Sequence, residues 1–323
     1  MFFDKIKYDI PLPAGERILI FRKVIMDYKN GLTNARVVTG KTFVENKGDS
    51  CLVDVSRNLP YYIPMIGFLL RKTLYDLWDN MLRILLVNVG FLVSLAMPLF
   101  LPALVPPGLG IPLLVLGLLW CSVYLCAAAG AFRAVSDYGS FGFADFLAGI
   151  RPALVPGICL GGIAGLLALV FYLSIPFYSG LVPPLGPVLA AVTFWAAILA
   201  VLCLQFFPQV KARLGGRTAK AFGKCLFLFF DNPGFAVFCL ISGILGLAFS
   251  FLLALLLPGP AGIILFLDEA LRLRLLKYDW LEANPEKAAA GKRPRIPWDE
   301  ILAGEREKTG RRSFRNFIFP WKD

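Results

Sequence analysis

The chain has 323 residues, 58% of them hydrophobic, with 33 Lys and Arg against 22 Asp and Glu. It contains no histidine, which excludes histidine-based triads, histidine metal ligands and imidazole proton relays. A soluble domain is about 45–50% apolar, so the excess points to a membrane. The net charge of +11 then follows from basic loops kept on one side, and no nucleic-acid partner is expected.

Residues 1–65 are polar. The stretch "ARVVTGKTFVENKGDSCLVDV" has β-branched runs broken by "TGK" and "NKGD", which predicts a small β-rich or irregular cytoplasmic segment. "MFFDKIKYDIPLPAG" lacks the apolar run of a cleavable signal peptide. From Gly67 to Arg83, Leu70, Leu74, Leu77, Trp78 and Met81 recur at helical spacing and predict an amphipathic helix. Lys72 and Asp76, and Asp79 and Arg83, stand four apart on its wet face as ion pairs.

Three tracts without any charge follow: Ile84–Phe132, Pro152–Val210 and Asn232–Leu267, of 49, 59 and 36 residues. A spanning helix needs about 20 apolar residues, so the first two tracts hold two spans each. "PALVPPGLG", "YSGLVPPLGP" and "LPGPAG" mark the turns. The reading is six helices, near 84–104, 109–132, 153–177, 187–207, 235–256 and 260–275. They form a transmembrane domain over 66–276, as three hairpins. The third tract also fits one span and a re-entrant piece.

All basic residues lie outside the tracts, which puts both termini on the cytoplasmic side of the membrane. Small residues four apart mark one face of the first helix of each hairpin: Gly90 and Ser94; Gly157, Gly161 and Gly165; Ser242, Gly246 and Ser250. Such spacing lets a neighbouring backbone approach and predicts the packing seam of the bundle.

Two joints read as short interfacial helices. In "SDYGSFGFADFLAGIRP", Phe143, Phe146, Leu147 and Ile150 share a face before Pro152. In "GGRTAKAFGKCLFLFFDNP", Phe222, Leu226 and Phe229 share one face and Arg217, Lys220 and Lys224 another. With Arg71, Lys72 and Arg151, those basic residues form an expected face toward membrane lipid or a partner. Residues 277–323 read as a basic, extended tail. Its end, "RRSFRNFIFPWKD", suits a bilayer surface, a partner groove or the protein's own cytoplasmic side.

Catalytic signatures are missing. No Walker loop, nucleophile elbow or dinucleotide fingerprint occurs. The 7 Cys form no CxxC and read as packing residues rather than a metal or disulfide framework. Asp268 and Glu269, beside Arg272 and Arg274, read as a helix-end ion network. No cofactor, metal or enzymatic activity is expected.

The tract "LRILLVNVGFLVSLAMPLFLP", a second span, a basic residue and then "DFLAGIRP" resemble the YesL-like family of bacterial membrane proteins. Asn88 early in the first span, Pro98 near its far end, and Asp145–Phe146 in the joint occupy the places that carry the resemblance. It covers Gly67–Tyr278, while the leader, the tail and "PPGLGIPLL" depart from the family's plan. It implies an accessory membrane role near carbohydrate uptake transporters, with no established reaction. The function expected is therefore a membrane accessory or scaffold protein with a cytoplasmic partner-binding face. Transport of a neutral or apolar solute and lipid handling are the alternatives.

Overall fold

A computed structural model describes residues 52–181, 184–285 and 296–310, with side chains from Pro64 onward except those of Pro107 and Ser179. The chain divides between Tyr61 and Tyr62, and every side-chain contact below lies within the second part. The described residues form helices and no strand: α1 (Leu52–Asp79), α2 (Met81–Leu104), α3 (Pro107–Ser136), α4 (Phe143–Ser179), α5 (Leu185–Leu204), α6 (Phe207–Leu214), α7 (Thr218–Asp231), α8 (Pro233–Leu252), α9 (Gly259–Ala283), α10 (Trp298–Ile301) and α11 (Ala303–Thr309).

Five stretches are long and apolar enough to cross a membrane: Met81–Leu104, Gly108–Ser136, Phe143–Tyr178, Leu185–Leu214 and Pro233–Leu252. The chain is thus a multi-pass membrane protein by length and composition. The expected sixth segment is the helix α9. It fails the same test because Asp268, Glu269, Arg272 and Arg274 stand in its middle.

Several expectations are corrected. Residues 52–65 are helical, not β-rich or irregular; residues 1–51 lie outside the described part. The amphipathic stretch from Gly67 is the last part of α1, which breaks at Asn80 before α2. The joint at Phe143–Pro152 is no separate helix, for α4 runs unbroken over 37 residues through Pro152, Pro156 and Pro176. A proline inside a helix removes one donor and crowds the carbonyl four residues back. Asp145 holds the start of α4, accepting from Gly142 N at 2.8 Å. The other joint, α7, is a separate helix as expected.

Close packing joins neighbouring helices. Gly90 faces Tyr124, whose hydroxyl donates to Val87 O at 2.8 Å. Trp120 Nε1 donates to Ser94 Oγ at 3.2 Å. Gly157 lies on Val123 and Gly161 on Ser122, seating α4 against α3. Ile263 of α9 lies against Gly243 and Gly246 of α8. Gly165 has nothing near it, and Ser242 is half-buried.

The core is α9. Thirteen of its residues are buried, from Gly259 to Arg274. It runs antiparallel to α8, Gly259 meeting Ser250 and Phe266 meeting Phe238, and beyond it Lys277 meets Asp231 at the end of α7. Residues 277–283 continue this helix rather than beginning a tail. Residues 296–310 form α10 and α11, which bury Trp298 and Leu302. The stretch "RRSFRNFIFPWKD" lies outside the described residues.

Candidate functional site

A polar cluster surrounds each end of the buried part of α9. The first is built on Asn88, a fully buried side chain in the apolar helix α2. Non-helical backbone among apolar helices must have its polar groups satisfied by protein. The turn from α8 to α9 is such a stretch, with Ala254 and Leu255 in the left-handed region. Asn88 Nδ2 donates to Leu256 O and to Pro258 O, both at 2.9 Å. Asn88 Oδ1 accepts from Ala261 N at 2.9 Å, and Ser250 Oγ accepts from Gly259 N at 2.8 Å. These bonds stand in for the missing previous turn of α9. Gly259 is required there: its φ is +60°, and a Cβ would collide with the Asn88 amide.

The second cluster lies at the charged end, where α9 meets α1, α3, α6 and α11. Arg213 at the end of α6 holds Asp268 with two bonds, Nε to Oδ1 at 2.8 Å and Nη2 to Oδ2 at 2.5 Å. Arg213 also donates to Ser136 Oγ at 2.8 Å and Asp137 Oδ1 at 3.0 Å. One residue along α9, Glu269 Oε2 accepts from Thr73 Oγ1 at 2.6 Å, and its Oε1 lies 3.5 Å from Lys72 Nζ. Lys72 also donates to Asp76 at 2.5 Å. The buried lysine thus stands between two carboxylates from different helices.

Tyr138 joins the two halves of this cluster. It caps α3 with φ +62°, a left-handed conformation costing a non-glycine residue about 1–2 kcal/mol. Its ring lies 4.5 Å from Lys72 Nζ and 4.9 Å from Arg272 Cζ, and such cation–π contacts offset part of that cost. Its hydroxyl donates to Glu305 Oε2 of α11 at 3.0 Å. Burial pushes the phenol above its usual value, and the Glu305 carboxylate adds to that over the opposing Thr309 bond. It therefore stays protonated as a donor. Arg272 donates to Ser136 O, to Asp137 Oδ1 at 2.9 Å and to Glu305 Oε1 at 3.0 Å. Residues 296–310 are thereby tied to the bundle by charge as well as by Trp298 and Leu302.

Asp268 and Glu269 are therefore not a helix-end network. They stand mid-helix and are 0% and 1% exposed. Lys72 is likewise no part of an outward face, being 2% exposed. The remaining basic residues are spread out. Arg71, Arg151, Arg217 and Lys220 are exposed, and Lys224 is half-buried. Arg71 lies on α1, Arg151 on α4 and the other three on or beside α7.

Two grooves open beside the charged end. One, of about 790 Å³, lies between α1 and α11, with Gly67, Phe68, Arg71, Ala303, Arg306 and Glu307 among its walls. The other, of about 520 Å³, lies between α3, α4 and α6. Asn88, Ser94 and Ser250 line neither. The six described cysteines carry free thiols, and no group of three metal-ligating side chains occurs among the described residues.

Sequence reasoning missed Asn88 as a cap, Tyr138 as a link and the docking of 296–310. A lone asparagine in a 49-residue uncharged tract was the available signal, since a polar side chain there must find partners. Comparison with family models, curated proteins and solved structures gives no match.

Proposed function

We propose that this chain is a non-enzymatic accessory or scaffold protein of the bacterial inner membrane, with six crossing helices and both termini cytoplasmic. The observation that carries this reading is the charged end itself. Ion pairs and hydrogen bonds from α1, α3, α6 and α11 converge on α9 and fix these helices to one another. A rigid, ordered surface of this kind suits a partner platform. The α1–α11 groove, walled by apolar and charged groups together, is the docking place on it.

The sixth crossing is α9. It accompanies α8 from Gly259 to Phe266, and it turns its charges inward onto partners, as ionisable residues at membrane depth do. A carbohydrate uptake transporter is the partner class that the family resemblance implies. Solute transport is less well supported, because Asn88 and Ser250 of the apolar helices are occupied in holding the α8–α9 turn and line neither groove.

Crosslinking followed by pull-down in mild detergent, at native expression, tests the reading. A stoichiometric partner is expected with the unaltered chain, and its loss with Ala303→Trp, which fills the groove. Recovery of the chain alone would overturn the proposal.

A further inference from the structure

The segment 296–310 is held differently from the long helices it lies on. Its two helices, α10 and α11, have four and seven residues. Isolated helices shorter than about 12–15 residues are marginal in water, so these keep their form through docking. Docking buries Ile296, Trp298 and Leu302. Side-chain hydrogen bonds from the segment reach Tyr138 and Arg272. The Tyr138 hydroxyl donates to Glu305 Oε2 at 3.0 Å and lies 3.1 Å from Thr309 Oγ1. Arg272 donates to Glu305 Oε1 at 3.0 Å.

Two features oppose these gains. Trp298 Nε1 is buried with no hydrogen-bond acceptor among the described residues, and a donor buried that way is costly. Tyr138 offers its hydroxyl from a left-handed backbone, at φ +62°. A short segment with few ties and such costs opens before the core does.

The two faces of α11 have different neighbours. Leu302 and Glu305 turn inward, 0% and 6% exposed. Ala303, with Arg306 and Glu307 three and four positions on, lines the α1–α11 groove together with Gly67, Phe68 and Arg71 of α1. Tyr138, Arg272 and Glu305 line no part of that groove. The groove therefore has its second wall only while α11 is docked. A partner seated in it binds the docked state alone, so partner binding and docking favour each other by linkage.

We infer that residues 296–310 form a strap with a minor undocked state, that Glu305 is its latch, and that undocking removes the groove. What concerns a partner rests on the platform reading above; the strap itself does not.

Hydrogen exchange read by mass spectrometry, on the full chain in detergent, tests this. In the unaltered chain the amides of 298–307 should exchange faster than those of Gly259–Leu267. Glu305→Gln should quicken 298–307 about tenfold or more and leave Gly259–Leu267 as it was. Tyr138→Phe, which keeps the ring against Lys72 and Arg272, should do the same. Leu302→Ala is a further probe that acts through apolar burial rather than charge, and it should quicken the same amides. Exchange of 298–307 at the rate of Gly259–Leu267, or variants that quicken both stretches equally, would overturn the inference. In the crosslinked pull-down, Glu305→Gln should lower recovery of the partner. Faster exchange with unchanged recovery would overturn the link to the groove. Absence of a partner with the unaltered chain would sink the platform reading, while exchange would still decide the strap.

Discussion

The helices α4 and α9 reverse the usual relation between polarity and burial. The far half of α4 is apolar, yet Leu166, Leu169, Tyr172, Leu173 and Phe177 are all exposed. In α9, Asp268, Glu269 and Arg274 are buried, with 0–2% of their surface exposed. In a soluble domain charged residues are almost never fully buried unless paired. Here the outer solvent is hydrocarbon, so the apolar helix can stand at the edge and the charged one must be enclosed. The difference teaches that hydropathy in this chain reports contact with lipid, not membership of the core.

The sharpest way to break that contrast is to strip a charge partner from α9. Arg213→Met leaves Asp268 buried without its bidentate partner and should cost about 3–5 kcal/mol, read as a lower melting temperature in detergent. Adding Asp268→Leu should return most of the loss, since an apolar pair can replace a buried ion pair.

A second break comes at the other end of the helix. Asn88→Leu keeps the bulk and removes three hydrogen bonds. At about 1–3 kcal/mol for a buried group left unsatisfied, the expected loss is about 2–3 kcal/mol. Hydrogen exchange should then quicken first at Gly259–Gly262.

The packing seam sharpens the comparison within α4 itself. Gly157→Leu must push Val123 aside and should cost about 1–3 kcal/mol by overpacking. Gly165→Leu meets open space and should change the melting temperature by the equivalent of at most about 0.5 kcal/mol.

The smallest expected effect concerns pH. Burial works to raise the Asp231 carboxyl, but hydrogen bonds and charge from Lys277 and the Tyr278 hydroxyl outweigh it and hold the group below its usual value. An acid with a depressed folded pKa contributes stability above its unfolded value, about 3.9. That contribution is lost as pH falls through the folded pKa. Asp231→Asn should therefore cost about 1 kcal/mol or less near neutrality and make the acid limb of unfolding shallower.

Much of the bundle could be read from the chain, because an uncharged run of 49 or 59 residues can only be accommodated as paired spans. The turns were legible too, through Pro106 and Gly180. What stayed hidden was whatever depends on distant partners. Arg213 and Asp268 are 55 positions apart, and Thr73 and Glu269 are 196 apart. Local pattern therefore shows Asp268 and Glu269 only as charges next to arginines. The same limit explains Lys72, whose helical spacing to Asp76 is real but whose side chain faces α9 rather than water. The continuous α4 escaped for a different reason: Pro152 signals a boundary in general, yet the helix runs through it and through Pro156 and Pro176.

The central claim is that the charged helix is the core and the apolar one the rim. Thermal unfolding of Arg213→Met against Leu173→Ala, in one detergent, tests it most directly. The account predicts a loss of about 3–5 kcal/mol for the first and at most about 0.5 kcal/mol for the second. A loss at Leu173 equal to or larger than that at Arg213 would contradict it.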